Sequence, residues 1–237
     1  MEKSRLSIQK RRHAETLFLI LASLFITSLV TSNLIFQKFF NWNPFGWFNF
    51  ELSVGIIAYP VTFLITDIIS EIFGKKRAQM VVVAGIFASF FALLIIIVSA
   101  EAPATDWSPI SSPEFKKVFG FTYIAVAASL AAYLFAQFLD VRIFHFWKKL
   151  TRGKHLWIRN NFSTFTSQIV DTATVLLLLC SFGVIEWTYF GILFLNGYLF
   201  KFLFALFDTP IIYLMVYLIR KYFNHHDATE HLLDDFN

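Results

Sequence analysis

Long apolar stretches separated by short polar or basic segments dominate this chain of 237 residues. A helix of roughly 20 apolar residues crosses the hydrocarbon core of a bilayer, so each stretch of that length predicts a transmembrane helix. The pattern predicts six such spans, at residues 14–36, 50–73, 79–100, 118–139, 162–182 and 197–219. We therefore expect an all-α integral membrane protein, a bundle of six transmembrane helices that forms one domain over residues 1–237.

The last apolar tract, residues 189–219, is longer than one upright membrane helix requires. Tyr189 to Asn196 are therefore expected to form a separate short piece, either interfacial or re-entrant, with Gly197 at the join. Pro210 lies inside the sixth span and removes one hydrogen bond of the helical ladder. We expect it to kink that helix.

The composition supports lipid as the solvent of this chain. Hydrophobic residues make up 57% of it and charged residues only 15%, and 31 residues are Phe. A soluble domain of this size would need more polar surface than the chain can supply. The single cysteine, Cys180, excludes an intrachain disulfide and lies in an apolar run, where a packing role is expected.

The basic residues predict the orientation of the helices. Sixteen of the 20 Lys and Arg residues fall in the N-terminal arm, the turn after the second span, the loop after the fourth span and the C-terminal tail. Cytoplasmic segments carry an excess of Lys and Arg, so both termini are predicted to be cytoplasmic. The same clusters suit lipid headgroups, which makes membrane lipid an expected partner and nucleic acid an unexpected one.

Asp67 and Glu71 place two carboxylates inside the second span. Their i, i+4 spacing puts both on one face of the helix. A carboxylate in hydrocarbon costs at least about 2.5 kcal/mol, so such residues usually have a function. Asp67 is a candidate substrate contact or a packing residue paired with a cation, and Glu71 is a gate residue, a coupling residue or a solvated helix end.

A second set of polar residues lies at the depth of the bilayer midplane. Gln168 and Asp171 share a face of the fifth span, and Lys201 falls at a similar depth in the last apolar tract. We expect Asp171 to compensate the charge of Lys201, with Asp208, two turns further along, as the competing partner. Asp208 is also a candidate gate or coupling residue. Hydroxyl residues around Asp171 suit either a wet cavity or close helix packing.

Three further polar residues lie near the ends of spans. Gln137 and Asp140 repeat the i, i+3 arrangement at the end of the fourth span, where Gln137 is a candidate substrate contact. Asp140 is either a gate or coupling residue or a surface charge beside Arg142. Asn33 either caps the first span or contacts the substrate.

No pattern in the sequence predicts catalysis. The six His residues have no helical metal-ligand spacing, and no Gly-rich loop could cradle a nucleotide phosphate. We therefore expect no enzyme activity, no metal and no cofactor.

Several short motifs resemble those of the queuosine precursor transporters, also called the vitamin uptake transporter (VUT) family. They are residues 59–67 (YPVTFLITD), 71–74 (EIFG), 136–141 (AQFLDV), 167–172 (SQIVDT) and 198–201 (YLFK). With the order and spacing of these motifs, the resemblance covers about residues 14–221.

The resemblance implies a six-helix, multi-pass importer of the bacterial inner membrane. Its substrate would be a 7-deazaguanine precursor of queuosine in tRNA, namely preQ0, preQ1 or queuine, without a cofactor. Such a base presents adjacent N–H donors beside a carbonyl, which a carboxylate together with an amide or ammonium can bind. The predicted substrate residues are Asp67, Gln168, Asp171 and Lys201, with Asn33 and Gln137 as further candidates.

Two other classes of protein fit the sequence. One is the substrate-binding membrane subunit of an ATP-driven vitamin importer, and the other is a membrane scaffold whose buried charges fix helix pairing. The choice of precursor, the energy coupling and the oligomeric state, monomer or homodimer, all stay open.

Overall fold

The structure of the chain is a computed structural model that describes residues 2–46, 48–150, 156–223 and 232. The side chains of some residues inside these ranges, Gln137 and Asp140 among them, lie outside the described part. The helices are α1 Glu2–Ile35, α2 Tyr59–Phe73, α3 Lys75–Glu101, α4 Ser112–Phe119, α5 Thr122–Leu150, α6 Leu156–Ser181 and α7 Phe190–Phe223. Two strands, β1 Phe39–Trp42 and β2 Phe50–Ser53, connect α1 to α2.

The helices have the lengths and composition of membrane spans. Among the described residues, five helical segments are long and apolar enough to cross a bilayer, and a shorter apolar one covers Phe165–Ser181. The five are Gln9–Ile35, Val54–Phe73, Lys75–Glu101, Ser112–Tyr133 and Trp187–Phe223. The chain is therefore a mostly helical, multi-pass membrane protein, while the count of six spans and the side of the termini stay predictions.

The second span was predicted to begin at residue 50, and that prediction was wrong. Residues 50–53 are not helical, because they form β2 and pair antiparallel with β1, with Trp42 opposite Phe50 and Phe39 opposite Ser53. Between the strands, Pro44–Gly46 form a short 3-10 turn in which Gly46 adopts a φ of +72°, a conformation that other residues disfavour. A 3-10 turn, Val54–Ala58, then leads into α2, where Pro60 occupies the first helical turn. The expectation of an all-α protein therefore missed this hairpin.

The last apolar tract also differs from the prediction. Residues 190–223 form one continuous helix, so the expected interfacial or re-entrant piece ending at Gly197 does not exist as a separate element. Only a short 3-10 turn, Trp187–Tyr189, precedes α7. Pro210 lies inside α7, and the kink expected there stays a prediction.

The described contacts group the chain into two compact units. Unit 1 comprises residues 1–32, 55–91 and 204–237, and unit 2 comprises residues 33–54 and 92–203. The single domain expected over residues 1–237 stays a prediction.

Unit 1 has its core around α2. Ile68, Ile69 and Phe73 are almost completely buried, and the Phe73 ring meets Phe18 of α1 edge to face at 5.3 Å. α3 contacts α1 closely at Gly85, where an added Cβ would lie 2.9 Å from side-chain atoms of Phe25 and Leu29. Small residues allow such close approach of helices in lipid.

Unit 2 has its core between α5 and α6. Ala125 and Ala128 are buried on α5 and allow α6 to pack closely against it. Leu176, Leu179 and Cys180 of α6 are buried in the same cluster, which confirms the packing role expected for Cys180. This core fixes the position of α6, which carries Gln168 and Asp171.

Candidate functional site

A buried ion pair joins α6 to α7 in unit 2. Lys201 Nζ donates to Asp171 Oδ2 at 2.7 Å and to Thr172 Oγ1 at 3.0 Å. The Lys201 side chain is 8% exposed and that of Asp171 21% exposed. The predicted pairing of Asp171 with Lys201 is therefore confirmed, and the carboxylate is the more accessible of the two charges.

The spacing of small and polar residues explains why this pair forms. Gly197 precedes Lys201 by one turn, and a Cβ at Gly197 would stand 3.5 Å from Thr172 Cγ2, so both α7 residues face α6. Gly197 thus brings the two helices together, although the sequence had suggested a break there. The ammonium group then meets both Asp171 and its neighbour Thr172.

Gln168 adds an acceptor on the same face of α6. It lies one turn before Thr172, and its side chain is 7% exposed. Among the described residues, its buried Oε1 has no hydrogen-bond partner. Leaving a buried carbonyl without a hydrogen bond costs about 1–3 kcal/mol of stability. A ligand that donates a hydrogen bond to Gln168 Oε1 would remove this cost. The face presents a carboxylate, the carbonyl oxygen of Gln168 and an ammonium group together.

The β1–β2 hairpin contacts α7 beside this pair. Asn196, 1% exposed, donates through Nδ2 to the main-chain oxygen of Glu51 over a long 3.5 Å, and the Trp42 ring lies edge to face with Phe200 at 5.7 Å. The sequence analysis did not select Asn196. An amide inside an apolar tract was the signal that could have identified it, because such groups rarely lie in hydrocarbon unpaired.

Three further residues predicted to belong to the site lie in unit 2. Asn33 lies inside α1, and its Oδ1 accepts a hydrogen bond of 3.0 Å from Ser129 of α5, so it links two helices. Its substrate role stays a prediction. Gln137 and Asp140 lie on α5, and the expectations for their side chains fall outside the described part.

The other predicted carboxylates belong to unit 1. Asp67 of α2 lies close enough to Asp208 of α7 for the two carboxylates to repel each other. Glu71, one turn further along α2, accepts a hydrogen bond of 2.6 Å from Arg220 Nη2. Glu71 is therefore an ion-paired residue near the end of its helix, while the substrate role of Asp67 and the gate or coupling roles of Glu71 and Asp208 stay predictions.

The described residues contain no group of three or more His, Cys, Asp or Glu side chains that could hold a metal ion.

Comparisons with known proteins identify the family. The family model described as "Putative vitamin uptake transporter" matches residues 53–215. A "Probable queuosine precursor transporter" of Bacillus subtilis (strain 168) is 30% identical over 169 residues, which is 70% of this chain and 72% of that protein. Another protein with the same description, from Haemophilus influenzae (strain ATCC 51907 / DSM 11121 / KW20 / Rd), is 31% identical over 127 residues, 53% of this chain and 50% of that protein. No solved structure matches the chain significantly.

The region matched by the family model contains the buried Lys201–Asp171 pair, and of the hairpin strand β2 it includes only Ser53. The chain therefore belongs to the vitamin uptake transporter family, the family of the queuosine precursor transporters, and is a multi-pass membrane transporter and not an enzyme.

Proposed function

We propose that this protein imports a 7-deazaguanine precursor of queuosine, such as preQ0, preQ1 or queuine, across the bacterial inner membrane. The descriptions of the two relatives support this substrate class. The observation that carries the proposal is the Lys201–Asp171 pair beside the Gln168 oxygen, which has no hydrogen-bond partner among the described residues.

The hydrogen-bonding groups of the site complement those of a deazaguanine. Its N1–H and exocyclic amine are adjacent donors, and its carbonyl is the neighbouring acceptor. A carboxylate offers about four lone-pair sites, so Asp171 can bond Lys201 and still accept from the base. Lys201 addresses the carbonyl, and Gln168 Oε1 accepts a further N–H.

Charge compensation within the protein makes this site suitable for a neutral base. A lone ammonium in the membrane interior would require an anionic ligand to neutralise it, whereas Lys201 already has Asp171. A neutral or singly protonated base can therefore bind without leaving a large net charge. The ion pair supplies directional donors and acceptors, and its carboxylate is the partly exposed end.

Uptake by reconstituted protein tests the proposal directly. Purified full-length protein in proteoliposomes should accumulate labelled preQ1, and unlabelled preQ0 or queuine should compete where the site accepts them. Folded wild-type protein that transports none of the three would contradict the proposal.

Variants of the ion pair connect transport to the site. Lys201→Met or Asp171→Asn alone leaves one buried charge without its partner, which typically costs about 3–5 kcal/mol, so both should lower the melting temperature and abolish uptake. The double variant removes both charges and should recover much of the stability without recovering uptake. Lys117→Met, the same change at an exposed lysine of α4, is the matched control and should transport as wild type. A double variant with wild-type uptake would show that the pair only stabilises the fold.

A further inference from the structure

The hairpin and α6 contact neighbouring stripes of the same stretch of α7. Asn196 and Phe200, one turn apart, meet the hairpin at Glu51 and Trp42. Gly197 and Lys201 follow them by one residue each, a rotation of about 100°, and face Thr172 of α6. The hairpin therefore contacts α7 at the same height as the Lys201–Asp171 pair, on the neighbouring face of the helix.

Aromatic side chains cover this face of the hairpin. Phe50 and Phe200 are each 5% exposed, and the Trp42 ring contacts both, with centroids 5.5 and 5.7 Å away. Trp42 remains 37% exposed, although both neighbouring rings are buried. Phe48 meets Phe50 edge to face at 4.6 Å and is 43% exposed. The buried rings thus fix an indole whose surface is still partly free.

We propose that the β1–β2 hairpin forms one wall of the substrate site and that Trp42 is a binding residue which stacks on the planar ring of the precursor. This inference rests on the proposed function, because it requires a planar heteroaromatic substrate. A fixed indole binds such a ring with little loss of side-chain freedom, and stacking suits the electron-rich deazaguanine face. The polar groups of α6 and α7 then form hydrogen bonds with the edge of the base, while Trp42 stacks on the face of its ring.

An exposed Trp in a membrane protein also suits an anchoring role in the headgroup layer. Two observations favour the substrate role. The Trp42 ring packs on Phe200, the residue directly before Lys201, and the adjacent site contains the Gln168 oxygen that has no partner among the described residues. An anchor would need neither contact.

The test measures binding of preQ1 to the full chain in lipid nanodiscs by calorimetry. Trp42→Ala should raise Kd roughly five-fold to 150-fold, the range for loss of one base-stacking partner. Trp42→Phe keeps an aromatic face and should bind within a few-fold of wild type. Trp187→Ala is the matched control, since Trp187 is also exposed and also packs on a ring, that of Phe190 at 6.0 Å; its Kd should not change.

Tryptophan fluorescence gives a second readout that does not depend on how well Trp42→Ala folds. Bound preQ1 should quench the emission of wild type, and Trp42→Phe should bind preQ1 yet lose most of that quenching. Wild-type affinity of Trp42→Ala, or full quenching in Trp42→Phe, would overturn the stacking role and leave Trp42 as a membrane anchor. Folded wild-type protein that binds none of preQ1, preQ0 and queuine would instead reject the proposed function itself.

Discussion

Lys201 is a charged side chain held almost entirely inside protein, and its contacts with two polar side chains explain why it is tolerated there. Asp171 supplies the opposite charge and Thr172 a hydroxyl acceptor, so at least two of the three ammonium donors are used. Removing a single partner from such a pair is far more costly than removing both. The pair therefore restricts which substitutions this position accepts, whatever the substrate.

A substitution at Gln168 distinguishes an effect on substrate binding from an effect on stability. Gln168→Met removes an oxygen that has no partner among the described residues, so the melting temperature should stay equal to that of wild type or rise. Uptake of preQ1 should fall, with KM raised roughly ten-fold or more, because a donor of the base would lose its acceptor. Melting curves and initial uptake rates check the two effects.

Gln79→Met is the control for Gln168→Met, since it makes the same change at an exposed position of α3. It should leave both quantities unchanged. A loss of stability in Gln168→Met without any change in KM would show that Gln168 serves packing alone.

At the scale of elements, the contact of α1 with α3 depends on one missing side chain. Phe25 is 5% exposed and cannot move freely, so the 2.9 Å approach of its ring to an added Cβ at Gly85 requires the helices to separate. Overpacking of this kind usually costs about 1–3 kcal/mol. Gly85 is thus a packing position for which the apolar pattern gave no prediction.

Gly85→Ala should therefore lower the melting temperature of the detergent-solubilised protein. Gly191→Ala is the counterpart within α7, where an added Cβ would meet nothing within 4 Å. Alanine favours a helix over glycine by up to about 1 kcal/mol, so Gly191→Ala should be neutral or stabilising. Equal melting temperatures for the two variants would contradict the close packing of α1 and α3.

At the scale of the whole molecule, the distribution of Lys and Arg predicts that both termini face the cytoplasm. A green fluorescent protein fused to the C-terminus should then fluoresce, and alkaline phosphatase fused there should be inactive. The same reporters inserted at Thr105, between α3 and α4, should give the reverse result. Active phosphatase at the C-terminus would show that the orientation is inverted.

Several features of this molecule followed from the sequence because the bilayer restricts the choices. A minimum length of apolar helix identified most of the spans, and the cost of isolated charges in hydrocarbon predicted that Asp171 and Lys201 would pair. The short motifs indicated the family that the comparisons then showed. Each inference used local sequence together with a property of lipid.

Other features depended on contacts between distant parts of the chain. Glu51 and Asn196 are 145 residues apart, and Glu71 and Arg220 are 149 apart, so no local pattern could relate them. The aromatic run before α2 suited a membrane helix as well as a strand, and pairing with β1 decided the outcome. The tertiary structure likewise decided that Gly197 is a contact rather than a break, because the effect of a missing side chain depends on what packs against it.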